Sequence, residues 1–406
     1  MNDTLAEHSL DSPTLKVIAD VLMTNAEAAT GCTDWGGDLH FESAFRKLYG
    51  ALVYSVCNEA HLHQQGRRGA LLRLRALAEA RLQFINDRKR WPAIGAEVIA
   101  KPTFILGLPR AGSTFLHSLL AQDPANRHPR TWEMILPSPP PEVASYECDP
   151  RIERAQNIYR AMGLERAELT ALHPFGARQP EECHLLMELT ALGDSLPALW
   201  RMSTFNKVRA ATDLRIGYLV HRMGLQNLQY RFRGERWILK NPGHVFYLDH
   251  LLAVYPDARI IQTHRDPARV IASIAALLVA MREANSDQRT DGERIAQGNL
   301  QAFAAGLSKA MAFRAQPGMS DRFHDVHFRS LIADPMATVR EIYQRFDLPL
   351  STETATRMER WLKADDSHSA KTKFSLAQFN LDADQVRSQF AAYMTHFGIE
   401  PEHLAK

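Results

Sequence analysis

The spacing of apolar positions changes near residue 100 of this chain. Before it, residues 41–56 and 69–87 place apolar side chains at helical spacing among Arg, Glu and Gln, and the stretch up to about residue 96 reads as helical. After Lys101-Pro102, short apolar runs alternate with helical stretches, as in an α/β fold on a mainly parallel sheet. Strands are predicted over 103–107, 237–240, 258–263 and near 325–328, and helices over about 112–121, 244–255, 268–282, 291–315, 336–346 and 384–397. Residues 237–263 read as one βαβ unit. Between the first two strands lies a long, mainly helical insertion at about 125–235, with a stiff Pro-rich segment at 137–141 and a polar interruption at 173–180. The chain divides on this pattern into a helical extension (1–98), an α/β core (99–350) and a C-terminal lid (351–406).

Composition narrows the class without naming the chemistry. With 406 residues, 45% hydrophobic and 23% charged, the chain has ample length for a full core. A formal charge of +2 and the lack of a basic tract argue against a nucleic-acid partner. The N-terminus has neither the basic start nor the apolar run of a signal peptide. The longest apolar run, 270–281, is shorter than the roughly 20 residues of a bilayer span. A cytoplasmic enzyme with no transmembrane segment is therefore expected; oligomeric state is not legible. Cys32, Cys57, Cys148 and Cys183 have no CxxC spacing and suggest neither disulfides nor a zinc site. Cys57, His61 and His63 resemble metal ligands in type, but a polar helix end accounts for them.

The first strand runs into Gly107-Leu108-Pro109-Arg110-Ala111-Gly112-Ser113-Thr114. Gly107, Gly112 and Thr114 match the phosphate loop GxxxxGK[ST], and Ser113 stands where that pattern has lysine. Such a turn brings N–H groups and a helix dipole onto an anion, so a phosphate-like group is expected here without ATP hydrolysis. A second anion site is suggested where Arg265 ends a strand and Ser273 follows two turns into a helix. Both sites fall on the carboxyl edge of the sheet, where open α/β sheets hold ligands.

Two anion sites on one edge suit a nucleoside with phosphate at both ends, and here a resemblance becomes specific. The stretches FILGLPRAGSTFLHSLLAQDP (104–124), TWEMILPSPPP (131–141), QPEECHLL (179–186), WILKNPGH (237–244) and PDARIIQTHRDPARVIAS (256–273), with a weaker match over 368–397, resemble the PAPS-dependent sulfotransferases, in particular a bacterial branch with a helical N-terminal extension. The resemblance implies a P-loop-type three-layer core, a central parallel sheet flanked by helices. It implies 3′-phosphoadenosine 5′-phosphosulfate (PAPS) as co-substrate and no metal. Carried over by position, Arg110, Ala111, Gly112, Ser113, Thr114 and Phe115 bind the 5′-phosphosulfate, and Arg265 with Ser273 the 3′-phosphate. Basic residues near the C-terminus of relatives close over the nucleotide, which singles out Lys371 or Lys373.

Two roles remain to be filled. A cation must meet the charge on the departing phosphate oxygen; Arg110 is the first candidate and Lys240 the second. A base must take the acceptor's proton. The lysine-x-histidine arrangement of small-molecule relatives is missing, because Lys240 is followed by Asn241 and Pro242. Glutamate-type relatives point to Glu133, then to Glu181 or Glu182, with His173 and His244 as remaining candidates. The acceptor is a hydroxyl on a small molecule, a lipid or a carrier-bound group. The rivals are a sulfotransferase-like nucleotide-binding protein without turnover and a P-loop kinase, which would need lysine at 113 and a carboxylate for magnesium.

Overall fold

Alternate residues of the first strand enter two different cores. In the computed structural model, which describes residues 13–364 and 374–403, strand β1 (Thr103–Gly107) is buried along its whole length. Ile105 packs with Leu116, Leu119, Ile261, Val326 and Val339 on one side of the sheet. Phe104 and Leu106 pack on the other side, in the core that also takes in Leu52, Leu74 and Leu77 from the N-terminal helices. A period of two that buries both faces is what a central parallel strand between helical layers requires.

The sheet has five parallel strands in the order β2-β3-β1-β4-β5. The others are β2 (Asn126–Arg127), β3 (Arg236–Lys240), β4 (Arg259–His264) and β5 (Phe323–His327). The expected strands are present. The expected βαβ unit is present as two parallel strands joined by a helix, but β3 and β4 do not touch: β1 lies between them, with Ile105 opposite Lys240 and Gly107 opposite Thr263. That insertion brings the loop after β1 between Lys240 and Arg265. Strand β2 escaped the sequence pattern because two residues carry no periodicity.

The N-terminal region forms helices Pro13–Thr30, Glu42–Asn58 and Gln64–Arg90. His63 caps the last of these, Nδ1 accepting from Gly66 N–H at 2.9 Å while Nε2 lies 3.2 Å from the Ala284 carbonyl. The polar helix end thus accounts for His63. No helix among the described residues is long and apolar enough to cross a membrane.

Candidate active site

The loop after β1 is shaped by close approach and by left-handed backbone. At Gly107 (φ 140°) a Cβ would stand 2.3 Å from the Thr263 carbonyl, so β4 can pair there only with glycine. At Gly112 (φ 87°) a Cβ would press on Leu331 and Phe328 at 3.0 Å. Arg110 is left-handed without being glycine (φ 64°), which costs on the order of 1–3 kcal/mol. Helix Ser113–Leu120 starts at Gly112 with no side-chain cap. First-turn N–H groups lack intrahelical partners and favour an anion.

Arg110, Gly112, Ser113, Thr114 and Phe115 line a cavity of about 1600 Å³. Ala111 is fully buried and does not line it. The same cavity is lined by His173, Glu181, Glu182 and Asn241, by Arg265, and by apolar side chains including Leu172, Phe175, Leu185, Ile274, Leu277 and Phe303.

Glu181 and Glu182 enter after the polar interruption and face Lys240, which ends β3 and is fully buried. Lys240 Nζ donates to Glu182 Oε1 at 3.0 Å and lies 3.7 Å from Glu181 Oε1. Burial opposes the ammonium charge, but Glu182 and Glu181 outweigh it and hold the Lys240 pKa above its ordinary value. Glu181 Oε2 lies 3.3 Å from His173 Nε2, and its Oε1 accepts the Glu182 N–H at 2.8 Å. Burial pushes the Glu181 carboxyl up, yet His173 and then Lys240 hold it well below the carboxylate range. The Glu181 side chain is 7% exposed and that of Glu182 25%.

Two expected bases are placed elsewhere. Glu133 is completely buried, paired through both oxygens with Arg127 (2.9 Å at Oε1). It also accepts from Tyr146 Oη and from the Arg130 N–H, each at 2.8 Å. Saturated in this way and absent from the cavity wall, it caps helix Thr131–Ile135 and anchors Arg127. His244 is corrected too. Its Nδ1 bonds Tyr218 Oη at 2.9 Å and its Nε2 lies 3.3 Å from Cys183 Sγ, and burial lowers its pKa, followed by the charges of His221 and His184. Cys183, His221 and His244 bring ligand-type atoms within 4.8 Å of one another. All three are buried; His244 meets Cys183, whereas His221 Nδ1 meets Tyr255 Oη at 2.7 Å.

The second anion site differs in detail from its expected form. Arg265 and Ser273 do not share a bond; each is tied to Arg110. Arg265 Nη1 donates to the Arg110 carbonyl at 2.9 Å, and Arg110 Nε donates to Ser273 Oγ at 3.0 Å. The Arg110 Nη1 donates to the Leu172 carbonyl at 2.7 Å, and burial, then the charge of Arg265, lowers its pKa. Arg110 thus turns toward Ser273 and Leu172, and Lys240 is the cation beside Glu181 and Glu182. The remaining face of Arg265 is taken by Glu402, at 2.9 and 3.0 Å. His368, Lys371 and Lys373 lie outside the described residues.

Sequence reading passed over Arg73, on helix Gln64–Arg90, which lines the cavity and forms a buried pair with Glu188. Its partner is 115 residues away in sequence, beyond any local pattern.

The sulfotransferase family model matches residues 102–352. The omega-hydroxy-beta-dihydromenaquinone-9 sulfotransferases Stf3 of Mycobacterium bovis and Mycobacterium tuberculosis are 27% identical over 262 residues, 63% of this chain; the match spans 65% of the length of those relatives. Sulfotransferase STF1 from Mycobacterium tuberculosis is 32% identical with a TM-score of 0.77, covering 92% of this chain and 98% of that one. Sulfotransferase STF9 from Mycobacterium avium is 25% identical with a TM-score of 0.82, covering 94% of this chain and 97% of that one. With the matched region taking in all five strands, the loop and the carboxylate cluster, the chain belongs to the sulfotransferase family.

Proposed function

We propose that this protein moves a sulfuryl group from PAPS to a hydroxyl on a long apolar acceptor. One observation carries the reading: a single cavity joins the lysine-free phosphate loop, Arg265, the Glu181–Glu182 pair and an apolar wall. The loop N–H groups, Ser113 and Thr114 would hold the 5′-phosphosulfate. Arg265, with Arg110 and Ser273 beside it, would take the 3′-phosphate.

Glu182 is the base in this scheme. It is the more exposed of the two carboxylates. Glu181, held ionised by His173 and Lys240, is a weak proton acceptor and serves to position the pair. The acceptor oxygen attacks sulfur as its proton passes to Glu182, and the bond from sulfur to the phosphate oxygen breaks to leave 3′,5′-bisphosphoadenosine. Once protonated, Glu182 attracts Lys240 less. The ammonium is then available for the negative charge growing on the departing oxygen.

The cavity volume of about 1600 Å³ exceeds the roughly 300–1,000 Å³ of ordinary small-molecule sites. Its apolar wall beside a polar head suits an acceptor with a hydroxyl at one end of an extended hydrocarbon. The name of the mycobacterial relatives, which act on a hydroxylated dihydromenaquinone, is in keeping with that class.

Equilibrium titration with 3′,5′-bisphosphoadenosine and, separately, with ATP and magnesium tests the donor assignment. Preference for the bisphosphate is expected; preference for ATP would favour a kinase. Arg265→Glu should abolish bisphosphate binding, and unchanged affinity would refute the assigned 3′-phosphate site.

A further inference from the structure

The side chain assigned to the 3′-phosphate is already holding an anion supplied by the chain itself. Both oxygens of Glu402 sit in the fork of Arg265, at 2.9 Å from Nε and 3.0 Å from Nη2. Arg269 Nε stands 3.7 Å from the second oxygen, and the Arg265 guanidinium stacks 3.7 Å from the centre of the Phe328 ring. Two oxygens in an arginine fork with a second guanidinium alongside is the arrangement a terminal phosphate takes.

Glu402 does not arrive there by side-chain pairing alone. Its N–H donates to Asp266 Oδ2 at 2.7 Å and its carbonyl accepts from Arg387 Nη2 at 2.9 Å. Arg387 Nη2 also donates to Asp266 Oδ2 at 2.8 Å, and Asp266, fully buried, caps helix Pro267–Glu283 through Ala268 N–H. One step back, Arg329 donates to the Pro401 carbonyl at 2.6 Å and pairs with Glu400. Residues 400–402 are therefore strapped across the end of β4 by Arg329 and Arg387, with the Glu402 carboxylate set into the anion site.

We propose that Glu402 is a built-in competitor for the 3′-phosphate, so that donor and spent bisphosphate bind only as its carboxylate leaves the Arg265 fork. The proposal rests on the assignment of Arg265 to the 3′-phosphate. Arg265 Nη1 is bonded to the Arg110 carbonyl, so the edge that Glu402 fills is the one a ligand needs. A phosphate has the advantage of charge and of a third oxygen for Arg269. The strap keeps the contest close by holding the carboxylate at high local concentration. Such a latch lowers the apparent affinity for the ligand by the fraction of time it is open.

Glu402→Gln removes the charge and keeps the shape. Calorimetric titration should show 3′,5′-bisphosphoadenosine binding about ten-fold more tightly to this variant, the factor for a latch closed about nine-tenths of the time. Adenosine 5′-monophosphate, which lacks the 3′-phosphate, should bind both chains equally. Arg329→Ala loosens the strap without touching the anion site and should tighten bisphosphate binding in the same direction by a smaller factor. Unchanged or weaker bisphosphate binding in both variants, or an equal gain for the monophosphate, would overturn the latch. If the wild-type chain and both variants all fail to bind the bisphosphate, the 3′-phosphate assignment itself falls, and the latch with it.

Discussion

Glu133 and Glu182 both lie in the insertion between β2 and β3 and both pair with a buried cation, yet their surroundings are opposite. Glu133 has four hydrogen bonds from Arg127, Tyr146 and Arg130 and no exposure. Glu182 has Lys240 on one oxygen, His184 Nδ1 at 3.5 Å from the other, and a quarter of its side chain open. A carboxylate with both oxygens bonded and no exposure is placed to hold structure. One that is half engaged beside a cavity can accept a proton and let its cation go. Access and unfilled bonding capacity separate the two, not residue type or distance from the phosphate loop.

The largest expected effect breaks that contrast at its open end. Glu182→Gln should lower sulfuryl transfer per folded molecule about 10²–10⁴-fold, the usual contribution of a general base, while Glu181 stays beside Lys240 as its remaining counter-charge. The sealed end should respond the other way round. Glu133→Gln leaves Arg127 buried against a neutral partner and should cost about 3–5 kcal/mol in denaturant unfolding, with turnover per folded molecule preserved.

Acid provides the next test. The Glu181 pKa lies below its ordinary 4.5 in the folded protein, so its pairing stabilises the fold above that pH and the benefit is lost as pH falls below it. Glu181→Gln should flatten the acid limb of the stability profile, and an unaltered limb would show that the pair with His173 and Lys240 carries no net stability. The smallest effect belongs to Tyr146→Phe, which removes one of the bonds to Glu133 and should cost about 1–2 kcal/mol with no change in transfer.

Much of the scaffold could be read ahead of the structure. Four of the five strands and the turn at Gly107 and Gly112 were legible, since strand burial and left-handed turns leave local marks in composition. The place of β1 between β3 and β4 was not, because strand order depends on pairings between residues more than a hundred positions apart. Glu133 illustrates the same limit within the site. Its short distance after the first helix made it the first candidate base, while its burial against Arg127 and Tyr146 comes from a fold that spacing does not encode. Arg265 could be singled out by its position at a strand end, but its pairing with Glu402, 137 residues later, was not legible.

Sulfuryl transfer separates an enzyme from a nucleotide-binding protein of the same fold, and binding alone cannot establish it. The most direct measurement is the movement of labelled sulfuryl from PAPS to a long-chain alcohol, run beside a short alcohol of the same head group. Labelled product that forms with the long acceptor, weakly with the short one, and falls away in Glu182→Gln but not in Glu133→Gln is the predicted result. Binding of the bisphosphate product without transfer to any hydroxyl, or equal transfer by Glu182→Gln and the wild-type chain, would contradict it.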